Sequence, residues 1–484
     1  MSTTDIETPQ QESAALPGPR RSGLGAAARA LALRLHFYAG VFVGPFILIA
    51  AITGALYAIS PTLESIVSRD LLHVDSTGPA QPISAQVDAA VATGPDLALV
   101  AVAPAPESGD TTRVIFSDPT LGDSERHAVF VDPATAAPVG ESVVYGSSGA
   151  LPMRTWIDRL HRDLHLGEPG RLYSELAASW LWVIALAGLL LWIRRVRARR
   201  HRNSAGWLAV PDRSGSGRGR TLNWHGAVGF WILPVLLLLA ATGMTWSTYA
   251  GENITALREN LSWTTPAVST TLPGSDAPAT HAGGDHHHGG STPMPTGDPG
   301  DRVAQLDRVI DAGRAAGIDR PAEIGIPADD STAFSIKERR MPGTYSVDAV
   351  AIDGATGSIT ARLPYTDWPL MAKLSNWGIQ FHMGLMFGLL NQLLLLAVMI
   401  GLITVIVRGY LLWWRRRPTR DGGHIAFGRP PQRGWLRRSP LLLIVPLVAV
   451  TVLIGWFAPL IGVSLLGFLL IDVVIGLVRG RATA

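Results

Sequence analysis

With no cysteine anywhere in the chain, histidine is the side chain best able to hold a metal or move a proton. His36-Phe37-Tyr38-Ala39-Gly40 recurs 189 residues later as His225-Gly226-Ala227-Val228-Gly229. Both copies run on to a proline (Pro45, Pro234) and a Thr-Gly pair (Thr53-Gly54, Thr242-Gly243). Residues four apart share a helical face, and eighteen residues complete five turns. His36, Gly40 and Gly54 therefore line one stripe, and His225, Gly229 and Gly243 another. An imidazole near one membrane boundary, with bare backbone beside it and near the other, suits a flat macrocycle such as haem. The missing thiols exclude disulfides, thiolate metal sites, iron–sulfur clusters and covalent c-type haem. Histidine or methionine, together with packing, would have to hold the ring.

A second repeat is weaker. Pro152, His165 and Gly167 match Pro369, His382 and Gly384 at an offset of 217, whereas the helix ends (Trp192, Arg194, Arg195; Trp413, Arg415, Arg416) need a further shift of four. At 217, His161 faces Gly378 and His165 faces His382, so this register selects His165 over His161. Alternating topology then places His36 and His225 near the inner boundary and His165 and His382 near the outer one. This is the arrangement expected of two bis-histidine b-type haems, which split a core of about 30 Å into feasible electron hops. A lone histidine at a helix end often serves only as a snorkelling group or an interhelical hydrogen-bond partner. Four in matched positions argue otherwise, because intramembrane ionisable groups are costly without a role.

Around these rings, Trp224, Trp231, Phe381 and Phe387 are candidate walls, and Arg34, Arg154, Arg162, Arg171 and Lys373 are candidate propionate partners. Met244, Met383 and Met386 are alternative axial ligands that no repeat supports. Asp472 is a candidate proton relay or quinol contact, set against the plainer expectation of a hydrogen-bonded packing group.

The elements that must position these residues follow from composition. The chain has 484 residues, 47% hydrophobic and 16% charged, with net charge +3, values that indicate a membrane protein with polar domains attached. The expected order is a cytoplasmic tail (1–30), a first span (31–60), an outer domain (61–150), a second span (151–195) and a basic loop (196–222). A third span (223–249), an outer linker (250–300), a second outer domain (301–367), a fourth span (368–417), a basic loop (418–438) and a hairpin of two spans (439–484) follow. The first span, too long for a signal-peptide core, reads as an uncleaved anchor. Arg194 to Arg202 and Arg415 to Arg417 mark the inner side, which puts both termini in the cytoplasm of a plasma (inner) membrane protein and excludes a nucleic-acid partner.

Each outer segment pairs a helix (Ile83 to Ala92; Arg302 to Ala316) with an antiparallel hairpin turning at Asp-x-x-Thr (Asp132 to Thr135; Asp353 to Thr356), a small α+β unit. The linker carries His281, His286, His287 and His288. It reads first as a disordered segment and second as a metal collector.

The His-x3-Gly, Leu164-His165-x-Gly167, Trp224-His225 and Phe381-His382-x-Gly384 elements, in this order of spans and outer domains, resemble the PepSY-associated transmembrane helix family. They resemble in particular its bacterial ferrisiderophore reductases. The resemblance covers roughly 30 to 417. With the spans read from the apolar runs, the expected fold is an all-α polytopic membrane bundle, a duplicated four-helix core plus a C-terminal hairpin for six spans, and the resemblance makes the two small α+β extracytoplasmic units PepSY-like domains. It further implies two haem b held by His36, His165, His225 and His382, beside Gly40, Gly54, Gly167, Gly229, Gly243 and Gly384. The substrate would be an iron(III)-siderophore or other ferric chelate outside the membrane, reduced with electrons from the cytoplasmic side. No Gly-x-Gly-x-x-Gly segment follows a strand, so a separate cytoplasmic reductase or a membrane quinol would be the donor. The competing expectations are a non-catalytic PepSY membrane protein that restrains a peptidase or senses the envelope, and a metal-collecting transporter accessory centred on the His-rich insert.

Overall fold

The computed structural model describes residues 24–94, 96–200, 210–211, 216–273, 281–282, 299–415 and 441–481. Four helices among them are long and apolar enough to cross a membrane: α2 (Gly44–Val67), α6 (Glu168–Arg200), α7 (Gly217–Met244) and α11 (Leu389–Trp414). Helix α1 (Leu24–Phe42) leads into α2 with a break at Val43, because Pro45 has no N–H to give and its ring excludes the carbonyl four residues back. That carbonyl, Val41 O, instead accepts the Tyr410 hydroxyl at 2.8 Å. The phenol also fills the space beside Gly44, where a Cβ would lie 2.8 Å from Oη.

The spans close into a square. Helix α6 packs against α1, α2 and α7, and α11 packs against α2 and α7. Ala39, Val43, Ile47, Ala51, Trp180, Leu236, Val398 and Leu402 form its buried interior. The later helices α12 (Leu441–Phe457) and α13 (Pro459–Arg481) are apolar over shorter stretches, 444–457 and 459–475. They pack against each other where Gly455 meets Gly462, and α13 leans on α6, with Trp180 Nε1–H donating to Ser464 Oγ at 2.8 Å.

Between the spans the chain forms α3 (Arg69–Leu72), α4 (Ile83–Thr93), α5 (Pro152–Asp163), α8 (Tyr249–Asn260), α9 (Pro299–Ala315) and α10 (Leu370–His382). Its strands are β1 (Ala98–Ala103), β2 (Thr112–Ser117), β3 (Glu125–Val131), β4 (Pro138–Tyr145), β7 (Ala322–Gly325), β8 (Phe334–Glu338), β9 (Ala349–Ile352) and β10 (Ile359–Leu363). The short strands β5 (Val268–Ser269) and β6 (His281–Ala282) pair separately.

The two expected outer units are not separate. Their strands join into one antiparallel eight-stranded sheet, β10-β9-β8-β7-β1-β2-β3-β4, through Ala101↔Gly325 and Val102↔Ile324. One face carries α4 and α9 over a shared core of Val87, Phe116, Leu306, Val309, Ile324 and Ile352. An exposed apolar edge on either half alone would be a pairing hazard, and joining the two halves removes it. Asp307 of α9 reinforces the seam by accepting Ile83 N–H at 2.7 Å and the Ser84 hydroxyl at the start of α4, where a carboxylate complements the helix dipole. The opposite face carries Val100, Ile115, Phe130 and Leu151 and looks onto the helices.

The second and fourth spans also differ from expectation, because neither is continuous. Helix α5 stops at Asp163, with Leu164 (φ 55), His165 (φ 56) and Gly167 (φ 64) in left-handed geometry before α6 begins. Helix α10 stops at His382, with Gly384 (φ 75) and Gly388 (φ 56) before α11. Of the insert, His281 pairs with Ser269, and His286, His287 and His288 lie outside the described residues.

Candidate functional site: two imidazole pairs and a cationic chamber

His36 of α1 and His225 of α7 face each other, ring centroids 5.9 Å apart and planes at 81°. Each ring is pinned on Nδ1 by a carbonyl of the neighbouring span: His36 donates to Ile184 O at 2.9 Å and His225 to Val405 O at 2.9 Å. A carbonyl only accepts, so Nδ1 carries the proton and Nε2 keeps its lone pair. Gly188 and Gly409 admit the two rings, since a Cβ would stand 2.9 Å from His36 Cε1 and 3.6 Å from His225 Cε1. Beside the histidines, Gly40 has open space and Gly229 meets only Val405, at 3.9 Å.

The second pair is His161 with His382, not His165 with His382. Both line one cavity of about 470 Å³ together with Gly54, Gly243, Tyr57, Trp246 and Met399, a volume in the range of cofactor sites. Thr53 donates its hydroxyl proton to Ile49 O (3.0 Å), so its oxygen accepts His161 Nδ1–H at 2.9 Å. Thr242 donates to Leu238 O (2.8 Å) and accepts from His382 Nδ1 at 2.7 Å. Gly54 and Gly243 lie against the Cε1 edges, at 3.1 and 3.7 Å from a would-be Cβ. Tyr57 stacks on His161 (6.0 Å, 15°), and Trp246 meets His382 edge-on (5.2 Å, 80°).

His165 is exposed, in the left-handed turn after α5, against the Trp156 ring at 4.9 Å. The register that chose it fails because α5 and α10 are separate helices joined to α6 and α11 by turns. The contacts match at a constant offset of 221: His161 with His382, Ile184 with Val405, Gly188 with Gly409, and the positive-φ Gly167 with Gly388 rather than Gly384. Gly167 has open space around it and Gly384 packs on Ala58 O and Gln392, so both shape turns rather than the ring site.

Other expected groups fall elsewhere. Trp231 is 66% exposed, and Phe381 and Phe387 contact each other. Trp224 carries the Arg408 guanidinium over its ring at 4.8 Å, and Arg34 lies over Tyr38 at 5.7 Å. Lys373 donates to Thr366 O at 2.7 Å. Met383 lines the cavity beside His382, Met244 packs in the span interior and Met386 accepts Gly343 N–H. Asp472 lies in α13. Among the described residues no three His, Cys, Asp or Glu side chains gather as a metal cage; what gathers is imidazoles in twos.

Haem fits the donor set. Two metal–imidazole bonds of about 2 Å plus two ring half-widths sum to roughly 6 Å, against 5.9 Å between the His36 and His225 centroids. At the outer pair the glycine-lined cavity supplies room for the ring. Arg154 lines the same cavity, only 4% exposed, with Nε and Nη2 making no hydrogen bond. The nearest carboxylate to it is Glu64, at 3.6 Å from Nη1. Sequence reasoning set His161 aside and missed Gly188, Gly409, Tyr57 and Trp246. The signal for the first three was the Trp192–Trp413 spacing of 221, which already held the correct register.

The PepSY-associated TM region model matches residues 33–416. A Pseudomonas aeruginosa protein described as uncharacterized protein PA4219 is 38% identical over 95 residues, 19% of this chain and 21% of that protein. The chain therefore spans about a fifth of the curated relative it matches.

Proposed function

Since this chain belongs to the PepSY-associated transmembrane family, we propose that it is a two-haem-b electron-transfer protein of the plasma membrane that reduces ferric chelates on the outer side. One observation carries the proposal: four imidazoles, each oriented by an acceptor on Nδ1, stand in twos at two levels of one helical square. Haem at each level would supply one-electron carriage. His36, His225, His161 and His382 would hold the two groups, their rings oriented by the acceptors on Nδ1, while Trp180, Leu236 and Leu402 exclude water and the helices separate the two levels. From His36 to Thr53 the helical rise is roughly 25 Å.

In this reading α12 and α13 also cross the bilayer, and the arginines at the ends of α6 and α11 face the cytoplasm with both termini. A separate reductase or quinol would supply electrons at the His36/His225 level, and the His161/His382 level would pass them to a chelate in the cavity beneath the sheet. Iron(III) held by hard oxygen ligands is released on reduction because those ligands bind iron(II) far more weakly.

The test is optical. Protein purified from haem-sufficient cells should show a dithionite-reducible b-type spectrum at two haems per chain. Colourless wild-type protein would sink the reading.

A further inference from the structure

The cavity at the His161/His382 level continues upward to the sheet, and its walls are basic. Arg154, Arg162, Arg171, Lys337 and Arg340 line it, against two carboxylates, Asp158 and Glu175. Glu175 is occupied: it accepts the N–H groups of Tyr249 (3.1 Å) and Ala250 (3.0 Å) at the start of α8. Around the cavity the sheet adds Arg113, which donates to Gly149 O and lies over Phe130 at 5.4 Å, and Arg339. Burial first, and then the neighbouring Arg339 guanidinium, bring Arg113 down to about 10, with Glu64 and Glu323 pulling the other way. At the floor is Arg154, buried, with Glu64 3.6 Å from Nη1 and with Nε and Nη2 making no hydrogen bond. A guanidinium so far from water keeps donor capacity for a further anion on those two nitrogens.

Resting on the reductase reading, we infer that this chamber selects ferric chelates of net negative charge, whose carboxylate or phenolate oxygens are received by Arg154 at the floor and by Lys337 and Arg340 at the sheet. Neutral and cationic chelates are disfavoured by the same field. A channel lined by one sign of charge raises encounter rates with the opposite sign by 10- to 1,000-fold at low ionic strength. Each iron(III) takes one electron from reduced protein and leaves as iron(II), and no proton or further reactant is required. The same anionic chemistry could come from haem propionates, so the test separates the two sources.

Binding is measured with redox-inert gallium(III) chelates, one an anionic polycarboxylate and one a cationic trihydroxamate, on the detergent-solubilised full chain. The anionic chelate should bind at least about 10-fold more tightly in low salt, and the difference should close in high salt as screening shortens the field. Lys337→Glu and Arg340→Glu should each narrow the ratio several-fold. Arg154→Gln should weaken the anionic chelate with haem per chain unchanged. Equal binding of both chelates overturns the inference, as does an Arg154→Gln protein that loses haem while binding the anionic chelate as before, which would give Arg154 to the cofactor's carboxylates. Because gallium binding needs no haem, failure here is distinct from a colourless protein.

Discussion

At the residue scale, two histidines four positions apart, one in the last turn of α5 and one just past its end, differ in everything that matters for ligation. His161 has its Nδ1 proton taken by Thr53 and its ring edge against Gly54, so its free nitrogen is committed to the cavity. His165 has left the helix and has its backbone N–H on Asp163 Oδ1 at 3.0 Å, with no acceptor ordering its ring. His161→Ala and His382→Ala should each remove about half of the haem, because one missing imidazole undoes one site. His165→Ala should leave it within error. A pyridine haemochrome assay per chain decides, and half-loss in His165→Ala would reinstate the 217 register.

At the element scale, the glycines of α6 and α11 set how close a neighbouring imidazole can come. Gly188 is the tighter of the matched pair: its Cβ would stand 2.9 Å from His36 Cε1, against 3.6 Å for Gly409 and His225. Gly188→Ala should therefore displace the His36 ring from Ile184 O and weaken haem retention at the inner level by about 10- to 100-fold, the usual scale for losing an orienting partner. Gly409→Ala stays in ordinary contact and should change retention less than about threefold. Haem loss to apomyoglobin, followed by absorbance, compares the two.

The elements also explain what the sequence could and could not disclose. The stripe His36-Gly40-Gly54 and its copy were legible because α1–α2 and α7 are long helices, where periodicity maps directly onto a face. The partner on α5 was not legible, because a left-handed turn of Leu164 to Gly167 resets the helical phase, and the short His-x-Gly match across that turn offered a false alignment. The joining of the outer units was hidden for a related reason. β1 is apolar on both faces and β7 has only four residues, so neither pattern says which strand lies beside its edge, and the seam pairs only two residues of each strand.

At the scale of the whole molecule, that narrow seam has to keep two half-sheets aligned above the cavity. Besides the backbone bonds and Asp307, side chains span the halves: Arg340 donates to Ser147 Oγ at 3.3 Å, and a stronger contact lies between β3 and β7. Arg126 of β3 reaches Glu323 of β7 with two parallel hydrogen bonds, at 3.0 and 3.3 Å, the fork geometry that makes such pairs strong. Burial pushes the Glu323 carboxyl up, but Arg126, Arg339 and Lys337 outweigh it and hold the group below its ordinary value. A carboxylate whose folded pKa is depressed contributes stability that is present above its unfolded pKa of about 4.3 and is lost as the pH falls through the folded value. At neutral pH, Glu323→Gln should then cost about 1–2 kcal/mol, lowering the thermal midpoint of the detergent-solubilised protein. As the pH falls below about 4 the wild type gives up the same increment, so the two midpoints should converge. A gap that stays constant from neutral to acid pH would show that Glu323 acts by packing alone, and that charge pairing across β3 and β7 does not fasten the two halves.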